Sequence, residues 1–120
     1  MNDALVGPIT AEWIGAYALA SGDDNPLHRS AAGPAIVHGA LLVALTERYL
    51  RDALPGVAIQ SLRFVFLSPV QAGSMVQFRL GAQRQIAADG VRLIERRVTL
   101  GLPGQRPAAL ADCRYIENTP

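Results

Sequence analysis

Within the stretch SGDDNPLHRS, residues 21–30, a carboxylate at Asp23 and an imidazole at His28 stand five positions apart. Two such groups sharing one water are the minimum equipment for general acid–base work on that water. Fully extended, the chain would hold them ~16 Å apart, but the residues between them oppose extension. Asn25-Pro26-Leu27-His28 fits a β-turn with Asn first and Pro second, which brings its first and fourth α-carbons within about 7 Å. Asp23, immediately upstream, can then aim at the same space as His28. Taken singly, Asp23 and Asn25 read as turn formers. Asp24 reads as solvated. A second imidazole, His38 in AIVHGALL, reads as a helix cap or a satisfied buried polar group. Asp23, His28 and His38 lack any recognised ligand spacing, so no metal is implied.

The elements around this turn can be read from pattern. Thr10 is placed to cap a helix through AEWIGAYALA, with Glu12 in its first turn and Trp13, Tyr17 and Ala20 on one stripe. Ser21-Gly22 ends that helix, and an irregular segment follows to about Ala35. A second helix is expected from about His38 to Ala53, stopped by Pro55-Gly56. Its first half, GALLVAL, is apolar on every side, as in a helix wrapped by a sheet. Its second half carries Glu47, Arg48, Arg51 and Asp52 and should reach solvent. From residue 58 the period falls to two: Leu62, Phe64 and Phe66 share a face, and Val76, Phe78, Leu80 and Ala82 alternate with polar residues. VRLIERRVTL and AALADCRYI are further strands, separated by the turn residues Ala88-Asp89-Gly90 and Pro103-Gly104. Helices early and antiparallel strands late make an α+β fold whose sheet can curl round the apolar helix.

The bulk properties narrow the function class. A chain of 120 residues is read as one domain, and its formal net charge is +1 with both signs interspersed. Arg92, Arg96 and Arg97 are the densest basic group; Glu95 interrupts them, and they read as a solvated strand face. No nucleic-acid partner is expected. Cys113 is the sole cysteine, which excludes an internal disulfide and favours a reducing compartment. Its setting in LADCRYI does not suggest an activated nucleophile. The start of the chain shows no secretory signal, and AIVHGALLVAL is too short to span a bilayer. A cytoplasmic protein without membrane association is expected.

YALASGDDNPLH followed by AIVHGALL resembles the signature of the MaoC-like (R)-specific enoyl-CoA hydratases and dehydratases. LRFVFLSPVQAGSMVQFRL is similar to that family's next two strands, so the likeness runs over about residues 10–116. The resemblance implies a hot-dog fold, an antiparallel β-sheet wrapped around a long central helix, formed here as a single domain over residues 1–120. It makes Asp23 and His28 the catalytic pair that activates water for addition to C3 of an enoyl thioester, or removes it from a 3-hydroxyacyl thioester. Which of them carries the proton to C2 is open. Asn25 would orient the pair, and the backbone N–H of Gly39 would bind the thioester carbonyl. That last role has an independent basis, because a helix start offers unpaired donors and positive partial charge. An oxyanion developing there is stabilised, and glycine permits close approach. No cofactor is implied beyond the coenzyme A or acyl carrier protein bearing the substrate.

The pattern is broken in two places. The link from His28 to Val37 is several residues shorter than usual in this family, and Arg29-Ser30 stands where a carboxylate usually follows; a more open pocket is expected. MNDALVGP offers little of the strand that commonly precedes the first helix. A smaller sheet has more edge to protect, which favours a homodimer with sites at the interface. Glu47 is a candidate acyl-pocket residue, since an unpaired carboxylate bordering the tunnel is costly to bury. Either it faces solvent, or the acyl group is short or polar, as for a biosynthetic tailoring dehydratase. Two rival functions remain: a hot-dog thioesterase, in which water attacks C1, and a non-catalytic acyl-binding subunit of a heterodimeric dehydratase.

Overall fold

A computed structural model describes residues 3–21, 36–87, 90 and 92–117. It opens with a short strand, β1 (Ala4–Val6), paired antiparallel with residues 76–78. The expected lack of an N-terminal strand is thus corrected. Three residues are too few for an alternation to register in sequence, and the pairing itself makes the strand.

The first helix, α1 (Ala11–Ser21), starts as its cap predicts: Trp13 N–H donates to Thr10 Oγ1 at 3.2 Å. Among the described side chains of α1 the buried one is Ile14, whereas Trp13 is 46% exposed and Ala20 is exposed. The expected Trp13–Tyr17–Ala20 stripe is therefore not the packed one. This helix is apolar nearly all round, so packing rather than periodicity selects its inner side.

The central helix, α2 (Gly39–Ala53), buries Leu42, Thr46, Tyr49 and Leu50, a single stripe at helical spacing. Thr46 donates its hydroxyl hydrogen to the Leu42 carbonyl at 2.7 Å, which satisfies the one buried polar side chain on that stripe. Ala40 and Ala44 are exposed, so the first half of the helix is covered on one face rather than on all. The helix ends before Pro55, as expected, with Leu54 N–H donating to Leu50 O at 2.8 Å.

The remaining strands are β2 (Ala58–Phe66), β3 (Val76–Leu80), β4 (Arg84–Ala87), β5 (Leu93–Gly101) and β6 (Ala109–Ile116). All pair antiparallel in the order β1-β3-β5-β6-β2, with β4 joined to the start of β5. Gly81 lets the chain step from β3 to β4 along one flank of β5. Its N–H donates to Arg97 O at 2.7 Å, and a Cβ would stand only 3.0 Å from that oxygen. Strand β4 was not anticipated because Arg84-Gln85-Ile86-Ala87 shows no apolar alternation.

Register assigns the faces. Phe78, Leu100, Ala109 and Phe66 align across the sheet, as do Leu80, Val98, Ala111 and Phe64. This is the inner face, on which α2 lies. The small Ala109 and Ala111 sit in mid-sheet, and Tyr49 of α2 stacks on Phe78 with ring centroids 5.3 Å apart. On the outer face Arg97 holds Asp112 bidentately at 2.9 and 3.2 Å. Glu95 bridges Arg84 and Arg114. The three arginines read as one solvated face are therefore divided. Arg97 is outside, whereas Arg96 points inward and donates from Nε to Gly81 O at 2.7 Å. Period two places neighbours on opposite faces.

Cys113 is fully buried beneath the helix, and burial pushes its thiol up to about 11. It stays protonated near neutrality and is no nucleophile. Among the described residues, no helix is long and apolar enough to cross a membrane.

Candidate active site

Asp23, Asn25 and His28 lie outside the described residues. The site can be built from its other wall, the start of α2. Val37 N–H donates to Val70 O at 2.7 Å, and Ile36 forms an antiparallel bridge with Gln71. These bonds fix the chain just ahead of the helix against the segment that leaves β2. That segment is held in turn, with the N–H groups of Leu67 and Ser68 both donating to Ala108 O at 2.8 and 3.1 Å.

His38 occupies the N-cap position, but its side chain makes no capping hydrogen bond. It is 1% exposed and meets Tyr17 of α1 edge to face, with ring centroids 4.9 Å apart. The expected side-chain cap is therefore not formed; His38 is instead a buried ring packed between α1 and α2. Leu42 N–H already donates to His38 O at 3.1 Å. Helix geometry leaves the N–H groups of Gly39, Ala40 and Leu41 without an intrahelical acceptor. That end of the helix carries positive partial charge.

Gly39 opens onto a cavity of ≈ 350 Å³ lined by Ile36, Val37, Gly39, Leu42 and Phe66 through Val70. A Cβ on Gly39 would lie 3.2 Å from the Phe66 ring, so glycine is what keeps this contact open. Phe66 is 51% exposed and stacks on Phe64 at 5.5 Å. The cavity is thus mostly apolar-walled and reaches the helix start at Gly39, an arrangement able to hold a carbonyl whose charge increases during reaction. Phe66 was assigned from the sequence only to a strand face shared with Leu62 and Phe64, which marks it as inward but does not place it beside Gly39.

Glu47 is exposed, two turns further along α2. It borders a second cavity of ≈ 380 Å³ with Arg51, Leu54, Gly56, Val57, Ile59 and Leu62. Among the described residues, no three His, Cys, Asp or Glu side chains gather as metal ligands would.

Comparisons with known proteins bear on the fold and the family. Residues 5–101 match the family model described as MaoC like domain. The (R)-hydratase of A. caviae involved in PHA biosynthesis superposes with a TM-score of 0.73 at 25% identity, covering 94% of this chain and 92% of that one. An R-hydratase from Pseudomonas aeruginosa gives 0.78 at 20% identity, over 98% and 79%. The HadBC complex of Mycobacterium tuberculosis, a 3R-hydroxyacyl-ACP dehydratase, gives 0.69 at 16% identity, over 94% and 90%. Among curated proteins no match is found. A helix started by glycine against an antiparallel sheet, and a family match over most of its length, establish that this hot-dog chain belongs to the MaoC-like family of hydratases and dehydratases.

Proposed function

We propose that this protein adds water across the C2–C3 bond of a trans-2-enoyl thioester, or removes it from the 3-hydroxyacyl thioester, with the acyl group carried on coenzyme A or an acyl carrier protein. Asp23 and His28 hold one water between them, oriented by Asn25. One of the pair takes a proton from the water as its oxygen bonds to C3. The C2–C3 π electrons move toward the thioester carbonyl, whose oxygen takes on enolate character beside the Gly39 N–H. The pair then delivers a proton to C2, and the site returns to its starting state with one water added. The balance needs no oxidant or reductant.

The observation that carries this reading is the start of α2: Gly39, whose N–H has no intrahelical acceptor, lines a mostly apolar cavity, and a Cβ there would crowd the Phe66 ring. The SGDDNPLH motif supports it from sequence. A dimer is part of the proposal, with residues 1–120 acting as one domain. Among the described residues strand β2 pairs on one side only, with β6, and Val65, Phe66 and Leu67 at its end are each at least half exposed. Such an edge invites pairing.

Spectrophotometry of crotonyl-CoA at the enoyl absorbance, run beside a thiol-release assay, tests the reaction. Loss of enoyl absorbance without thiol release is expected, abolished by Asp23→Asn and by His28→Ala. Thiol release alone would assign the thioesterase reading. Absence of both, with wild type and variants alike, would leave the acyl-binding subunit, a reading favoured by the same exposed β2 edge. A monomer in analytical ultracentrifugation would remove the dimer.

A further inference from the structure

Two cavities lie along the seam between α2 and β2, one beside Gly39 and one beside Glu47. Gly39 and Glu47 are eight residues apart on α2, or ~12 Å along its axis. At ~100° per residue Gly39, Val43 and Glu47 follow one side of the helix. Facing them, Phe66, Phe64 and Leu62 follow one side of β2, because their β6 partners Ala109, Ala111 and Cys113 alternate on the inner face. The Gly39 cavity is bounded by Phe66, the Glu47 cavity by Leu62 and Ile59. The stacked Phe64–Phe66 pair spans the interval between them. An acyl group whose carbonyl sits at Gly39 would run down this seam and end between Glu47 and Arg51.

We infer that the two cavities join along this seam as one groove, which selects acyl chains oxygenated toward their far end. This rests on the thioester reading above and specifies its substrate class. The middle of the groove is apolar and suits methylene carbons. Its end offers a carboxylate, which accepts hydrogen bonds, and a guanidinium, which donates them. Glu47 and Arg51 are both exposed, and among the described residues no ion pair joins them, so each can turn to a ligand. A hydroxyl donates to Glu47 and accepts from Arg51. A methyl terminus would instead cover both charges without replacing their water, which costs affinity. A distal carboxylate would meet Arg51 but be repelled by Glu47.

The test separates binding from turnover. Calorimetry would measure two medium-chain saturated thioether analogues of the coenzyme A substrate, identical but for one hydroxyl near the far end. We expect the hydroxylated analogue to bind about tenfold more tightly, in line with one or two hydrogen bonds to charged groups. In the double variant Glu47→Leu, Arg51→Leu the preference should vanish or reverse. Equal binding of the two analogues by the wild type, or a preference that survives the double substitution, would overturn the inference. Neither analogue can be hydrated, so the crotonyl-CoA assay judges the reaction independently: discrimination in binding supports the groove even if that assay fails, and its absence defeats the groove even if hydration is rapid.

Discussion

The two flanks of α2 differ in how completely the sheet covers them. Toward β3, β5 and β6 the interface is closed: Phe78, Ile94 and Val98 are fully buried, and Tyr49 stacks on Phe78. Toward β2 it is open, with Leu62 and Phe64 half-buried, Phe66 51% exposed and two cavities along the seam. One helix therefore serves two purposes. Its closed flank supplies stability by removing apolar area from water. Its open flank leaves backbone donors and room for a ligand, and contributes less to folding.

The contrast is broken most directly by truncating a ring on each side. Phe78→Ala empties a fully buried site and should cost about 3–5 kcal/mol, read as a lowered midpoint in urea at unchanged slope. Phe66→Ala removes a ring that is half in water already, so its cost should be about 1 kcal/mol, while the KM for enoyl thioesters rises. Equal losses of stability would show that the β2 flank is closed in solution by another surface. Gly39→Ala sharpens the same point. The methyl group lies 3.2 Å from a ring that can move outward, so the fold should survive. The thioester carbonyl proposed to bind there would be displaced, and a loss of about a hundredfold in kcat/KM is expected. A variant that keeps full activity would detach Gly39 from the reaction.

How far the sequence foretold this molecule depended on whether pattern or packing decided each feature. Strand β3 was legible because Val76 and Phe78 alternate with polar neighbours, and the end of α2 because Pro55-Gly56 cannot continue a helix. The inward side of α1 was not, since a helix apolar all round has no periodic face, and only the tertiary contacts select Ile14. Strands β1 and β4 are too short to carry a period; their pairing creates them. Arg96 and Arg97 looked alike as neighbours in a charged run, yet opposite faces give them opposite surroundings. At the site, Gly39 was legible from its place at a helix start, whereas the Phe66 ring against it is a long-range contact that no local pattern encodes. Asp23, Asn25 and His28 rest on their motif and lie outside the described residues.

Cys113 on the inner face reports the closure of that side through pH. Burial holds its thiol protonated, at about 11 against an ordinary value near 9. Between those values the unfolded chain has released the proton and the folded one has not. Unfolding is then favoured as pH rises. The stability supplied by the neutral buried thiol is complete below about pH 9 and is lost progressively toward pH 11. Denaturant midpoints of wild type and Cys113→Ala should therefore converge as pH increases through that window, since alanine has no proton to lose. Parallel curves would mean that water reaches the thiol and that the closed flank opens.

The smallest effect belongs to the sheet's outer face. Arg97 and Asp112 meet bidentately across β5 and β6, and the guanidinium holds the Asp112 carboxyl below the usual range. The pair is largely solvated, with side chains 56% and 33% exposed. Coulomb attraction between groups so wetted is weak and is screened by salt. A double-mutant cycle with Arg97→Ala and Asp112→Ala should give a coupling of about 0.2–1 kcal/mol at low ionic strength, shrinking in molar salt. As a lowered carboxylate, Asp112 contributes above its unfolded value and loses that contribution as pH falls through the folded one. A coupling of several kcal/mol would mean that this face is shielded from water, and the division between a ligand-bearing inner flank and a bare outer surface would have to be redrawn.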